Sequence, residues 1–303
     1  MERSPAPGRI TAEPPRPPAS EMSPPEVPSA PRPGSHAVPV VLAALAIAVQ
    51  ITHPLLGGRA LHVATVVAVL AFAAASLAHA AVTAGPAVAV RVLVVAGGVG
   101  LLAEAVGVAT GLPFGAYHYA DTLGPRLAGV PLVVPLAWTM TAYPCLLLGR
   151  ALAPARWAAV ALAAWTLAAW DLFLDPQMVA DGHWTWTHPD PGLPGIPGVP
   201  LTNTAGWLLV SAVLIAALDR ALPRRALPPR APGAGAPPPD AAVPALLLGW
   251  TWLGSVTGNL VFFDRPAVAG YGGLAMGATV LPYLLHVARP HPARPRRRAA
   301  GTP

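Results

Sequence analysis

Glu104, Asp171 and Asp175 are carboxylates set among alanines, valines and leucines, in LLAEAVGV and AAWDLFLDP. A charge at the centre of a membrane helix costs roughly 2.5 to 3.5 kcal/mol, so acids in such places are rare and usually functional. Asp171 and Asp175 are four apart and share one helix face. Two carboxylates that close do not both ionise easily, so one is expected to keep its proton at neutral pH. That is the arrangement a general acid requires. Nearby, GLPFGAYHYAD packs Tyr117, His118, Tyr119 and Asp121 into five residues, and WDLFLDPQMVADGHWTW supplies Trp170, Trp184 and Trp186. Asn203 opens a later apolar run. Taken singly, the aromatic residues read as an interfacial belt and Asp175, before Pro176, as a helix-end acid. No second histidine stands at ligand spacing from His118, and the one cysteine, Cys145, excludes an internal disulfide and a cysteine-based metal site. No metal is expected.

The elements that position these groups are membrane helices. The 303 residues are 54% hydrophobic and 11% charged, against about 25% charged in soluble domains. Eight apolar runs are long enough to span a bilayer: 37–56, 61–84, 88–110, 130–149, 156–175, 201–218, 243–263 and 268–287. The fold class is therefore all-α, a polytopic transmembrane bundle over residues 37–288. Residues 1–36 are rich in Pro, Ser and Glu without apolar period and are expected to be a disordered cytoplasmic tail. They do not read as a signal peptide. Residues 220–240 read as a Pro/Ala/Arg linker and 289–303 as a basic cytoplasmic tail. Every basic side chain apart from histidine is Arg, which with abundant Ala, Pro and Gly suggests a GC-rich bacterial genome.

Eight spans with a cytoplasmic N-terminus place sixteen arginines inside. Only Arg59, Arg126 and Arg265 lie outside. This fits the positive-inside rule and accounts for a pI near 10.4 without a nucleic-acid partner. The same topology gathers the acids, apart from those in the tail and the Asp219 and Asp240 pair beside arginines, at the outer face of the cell membrane. Two outer loops also resemble each other. Tyr117-His118-Tyr119 is followed by Gly129-Val130-Pro131-Leu132, and Trp184-Thr185-Trp186 by Gly198-Val199-Pro200-Leu201. Two related helix–loop–helix units are expected to face one another, their loops covering the acids.

The stretches GLPFGAYHYADTLGPRLAGVPLVVPLAW, AWDLFLDPQMVADGHWTW and GVPLTNTAGW resemble the carotenoid 1′,2′-hydratase family of polytopic carotenoid biosynthesis proteins. The resemblance covers about Glu104 to Trp207. It implies addition of water to the terminal 1,2 double bond of an acyclic carotenoid end group, giving a tertiary alcohol with no cofactor. In that chemistry Asp171, Asp175 or Glu104 protonates the alkene, with Asp171 the first choice. The aromatic rings Tyr117, Tyr119, Trp170, Trp184 and Trp186 face the cation. Asp121 or His118 orients the water. The implied partners are the lipid-dissolved carotenoid, water, membrane lipids and other enzymes of carotenoid synthesis. Intramembrane acids also suit a proton-coupled transporter. A carotenoid cyclase or a non-catalytic pathway partner is a further alternative.

Overall fold

The computed structural model describes residues 37–223 and 241–289. The expected N-terminal tail, most of the 220–240 linker and nearly all of the basic C-terminal tail lie outside them. Among the described residues eight long helices follow one another. They are α1 (Ala37–Thr52), α2 (Gly58–Ala84), a helix built of α3 (Pro86–Val92) and α4 (Gly98–Thr110), α5 (Val133–Leu152), α6 (Arg156–Ala180), α7 (Leu201–Ala221), α8 (Ala242–Val261) and α9 (Pro266–Ala288). A π-helical turn at Leu93–Gly97 joins α3 to α4. In hydrocarbon every backbone polar group must be paired within the segment, which is why long apolar runs resolve into helices. Six of the eight are long and apolar enough to cross a membrane. The other two are α5 and α8. In α5 Trp138, Thr139, Thr141 and Tyr143 are turned inward and buried.

The breaks follow local chemistry. His53 and Pro54 end α1 in a short 3-10 turn. Gly111 closes α4 in the left-handed conformation, φ 77°, which favours glycine. One boundary differs from expectation: α6 runs through Pro176 to Ala180. Asp175 is thus inside the helix and buried, not a solvated end-cap acid.

Helix connections gather at two ends. At one, the Ala120 amide donates to the His183 carbonyl at 2.8 Å, His53 approaches Asp181 at 3.6 Å, and Arg265 donates to Gln177 at 2.8 Å. At the other, Arg150 and Arg156 both pair with Asp219. The two ends are therefore an acidic, loop-rich one and an arginine-bearing one. Which faces the cytoplasm is a prediction from arginine placement. Reporter fusions at Pro303 and within 224–240 are expected to read inside, and one at Pro189 outside; an external reading at Pro303 inverts the topology.

The facing loops form a two-fold-like pair. Strand β1 (Tyr117–Tyr119) pairs antiparallel with β4 (Trp184–Trp186), Tyr117 opposite Trp186 and Tyr119 opposite Trp184. A small hairpin of β2 (Arg126–Leu127) and β3 (Val130–Pro131) precedes α5. Gly129 and Gly198 both have positive φ, 81° and 84°. A Cβ on either would meet a valine of the preceding helix, Val108 at 3.1 Å and Val179 at 2.9 Å. Trp138 and Trp207, each nine residues after its glycine, stack on one another with ring centroids 4.0 Å apart. The expected repeat is present in backbone conformation, packing and pairing alike.

Candidate functional site

Glu104 lies on the one face of α4 that is buried, between Gly100 and Gly107. These glycines make room for its partners. A Cβ on Gly100 would lie 2.7 Å from the Trp138 ring, and one on Gly107 would lie 2.8 Å from the Tyr117 hydroxyl. Both side chains donate to the carboxyl: Trp138 Nε1 to Oε1 at 3.0 Å, and Tyr117 to Oε2 at 2.5 Å. Tyr119 donates to Oε2 at 2.8 Å. Strand alternation turns Tyr117 and Tyr119 to the same side, so β1 delivers both hydroxyls to one carboxyl. Burial, followed by the neighbouring Glu104 carboxyl, pushes both phenols well above their usual range. They serve as donors and do not ionise.

Opposite Glu104 stands Asp175, with Asp171 one turn before it on α6; the two are 3% and 2% exposed. The Asn203 amide at the start of α7 donates to both, to Asp171 Oδ2 at 3.0 Å and to Asp175 Oδ2. Trp184 Nε1 donates to Asp175 Oδ1 at 3.1 Å. A single neutral amide thus bridges two carboxyls, and among the described residues no cation pairs with either. Burying an unpaired charge is costly, and two together cost more. One shared proton relieves both problems.

A cavity of about 60 Å³ opens between Glu104 and Asp175. Tyr117, Tyr119, Trp184, Trp186 and Asn203 line it, with Trp138, Trp207 and Phe114. Seven sequence-derived residues therefore converge: Glu104, Tyr117, Tyr119, Asp175, Trp184, Trp186 and Asn203. Asp171 does not line this cavity. It faces a separate space of about 10 Å³ beside Thr204, Pro176 and Ile196. Trp170 packs edge-on to Trp207 at 5.9 Å and lines the next chamber of about 210 Å³.

Two expectations are corrected. His118 is the middle residue of β1, so alternation turns it to the exposed side, where it bonds Thr185 at 2.8 Å. The Asp121 side chain is 97% exposed and pairs with Arg126 at 2.7 Å. Neither reaches the cavity, so neither is placed to orient water there. Trp138 and Trp207 are the residues that sequence reasoning missed. Their signal was the equal nine-residue offset from Gly129 and Gly198, together with the Gly100–Glu104–Gly107 face.

His183, fully buried at the end of the paired strands, just before β4, accepts from or donates to Thr122 at 2.7 Å. Burial pushes it down to about 4, from 6.5. Below 6.5 the unfolded chain binds a proton that the folded chain refuses, so stability falls as pH drops from 6.5 toward about 4. Thermal unfolding of purified protein is expected to show this fall, and His183→Gln to weaken it relative to wild type. Equal pH dependence in the two would contradict this.

A family model described as "Carotenoid biosynthesis protein" matches residues 57–251. Bisanhydrobacterioruberin hydratase of Haloarcula japonica is 38% identical over 122 residues, covering 38% of this chain and 40% of that protein. The chain thus aligns with about 40% of the length of this curated relative. No solved structure matches.

Proposed function

We propose that this chain, which belongs to the carotenoid biosynthesis protein family, adds water to the terminal 1,2 double bond of an acyclic carotenoid end group. The observation that carries this reading is the pair of opposed buried carboxyl groups, Asp175 and Glu104, across a small cavity walled by indole and phenol rings. A relative named as a hydratase supports it.

The residues divide the work as follows. The Asp171–Asp175 pair holds one proton. Asp175, the member facing the cavity, gives it to C2, and the alkene π electrons form the new C–H bond. Positive charge is left on C1, a tertiary centre. The Glu104 carboxylate, fixed by three donors, lies opposite and lowers the energy of that charge without reorganising. The rings of Trp138, Trp184, Trp186 and Trp207 add their negative faces. Water then bonds through oxygen to C1 and gives a proton to Glu104, which returns it through water to the aspartate pair. The sum is alkene plus water giving alcohol, with no redox change and no cofactor. Asp171, behind Asp175, acts as a positioning residue by keeping the proton on its neighbour.

The reading places the chain in the cell membrane, where the substrate is dissolved. The transporter alternative calls for polar groups near the midplane, whereas these cluster toward one end of the bundle. Pigment analysis tests the proposal. In a host making lycopene, expression is expected to yield products heavier by one or two waters. A ring-closed isomer of unchanged mass would instead make the chain a cyclase. An unchanged pigment profile with the protein present in the membrane would overturn any catalytic reading on this end group.

A further inference from the structure

The acid-bearing cavity is the innermost of three in series. Thr65, Val69, Leu174 and Met178 line both it and the chamber of about 210 Å³. That chamber in turn shares Gln50, Pro54, Trp250, Gly254 and Gly258 with a groove of about 600 Å³. The groove lies on the outer surface of α1 and α8, and its walls include Ile51, Leu246, Leu253 and Phe262, all exposed apolar side chains. Contiguous exposed apolar surface of this kind marks a ligand or membrane contact. At the junction of groove and chamber, Gln50 Oε1 accepts from Trp250 Nε1 at 2.7 Å, so the two polar groups satisfy each other. Gly254 and Gly258, one turn apart on α8, place no side chain in that junction.

Among the described residues that line them, the three form a path that is apolar at its outer end and carries its carboxyl groups at its inner end. A long, stiff hydrocarbon with one reactive terminus has the same polarity. The inner cavity of about 60 Å³ is far too small for a whole polyene. We propose that the substrate polyene enters sideways from the bilayer between α1 and α8. It lies along the groove and middle chamber, and only its end group reaches Asp175 and Glu104. The identity of the ligand rests on the hydratase reading; the path rests on the three connected cavities.

The test uses the full chain purified in detergent from lycopene-producing cells, and reads pigment retained per protein by absorbance. Gly258→Leu puts a side chain in the junction, where its Cβ meets only the Phe263 ring, at 3.3 Å. Thr257→Trp fills the groove from an exposed position and so tolerates folding if Gly258→Leu does not. Each is expected to lower retained lycopene by about tenfold or more, while Leu209→Phe, an exposed residue of α7 away from the groove, leaves it unchanged. Wild-type retention in folded Thr257→Trp and Gly258→Leu proteins overturns the path, as does a wild-type chain that retains no carotenoid, neither lycopene nor its hydrated product. If wild type retains pigment and the blocked variants lose it, but no hydrated product forms, the path stands and the hydratase reading fails.

Discussion

Asp175→Asn is expected to lower hydration by about 10²- to 10⁴-fold, the usual contribution of a positioned general acid, with the protein still folded in the membrane. The amide keeps the shape of the carboxyl and can still meet the Trp184 indole through its oxygen. It cannot give up a proton to carbon. Asp171→Asn is expected to be milder and different in kind. Asp171 does not line the cavity, so its loss leaves the donor in place but removes the like charge that holds the proton there. Activity in Asp171→Asn should return at more acidic pH, whereas Asp175→Asn should stay depressed at every pH. Near-normal turnover in Asp175→Asn would remove the acid from the scheme.

Glu104→Gln carries the second large effect, a loss of about 10²- to 10³-fold, as for removal of one strong electrostatic stabiliser. Three donors point at this carboxyl. An amide has one oxygen to accept them, and its NH₂ would face a donor. A buried polar group left unpaired costs about 1–3 kcal/mol, so a measurable fall in melting temperature should accompany the loss of rate. Trp138→Phe removes one donor and keeps an aromatic ring, and is expected to cost about tenfold, one hydrogen bond's worth. If Glu104→Gln lost stability but kept its rate, the group would be structural and the cation would need another stabiliser.

Much of this arrangement was legible in the sequence because membrane helices leave a strong signal. Long apolar runs with few charges marked out eight helices, and arginine placement separated the two ends. The aromatic-x-aromatic repeats anticipated that the two loops face one another, but not that they pair as strands, β1 against β4. Helix boundaries were less legible: Asp175-Pro176 read as a helix end, but a proline late in α6 is tolerated and the helix continues to Ala180. His118 and Asp121 were misplaced because proximity in sequence was taken for proximity in space. A strand sends neighbouring side chains to opposite faces, so the residue between two inward tyrosines must point out. Asp121 found Arg126 instead. The tryptophan stack of Trp138 and Trp207 was hidden because each residue alone looks like ordinary packing. Only the shared spacing from Gly129 and Gly198 reveals the pair, and only the structure shows that Gly100 and Gly107 leave room for the donors of Glu104.

Isotope labelling of the product separates hydration from oxygenation. Wild-type cells or membranes converting lycopene in H₂¹⁸O and in D₂O are compared with the same conversion under ¹⁸O₂. Protonation of the alkene by an exchangeable carboxyl, followed by capture of water, predicts ¹⁸O from water in the tertiary hydroxyl and one deuterium on the adjacent carbon. Oxygen derived from ¹⁸O₂, or a hydroxylated product without that deuterium, would contradict acid-catalysed hydration at Asp175.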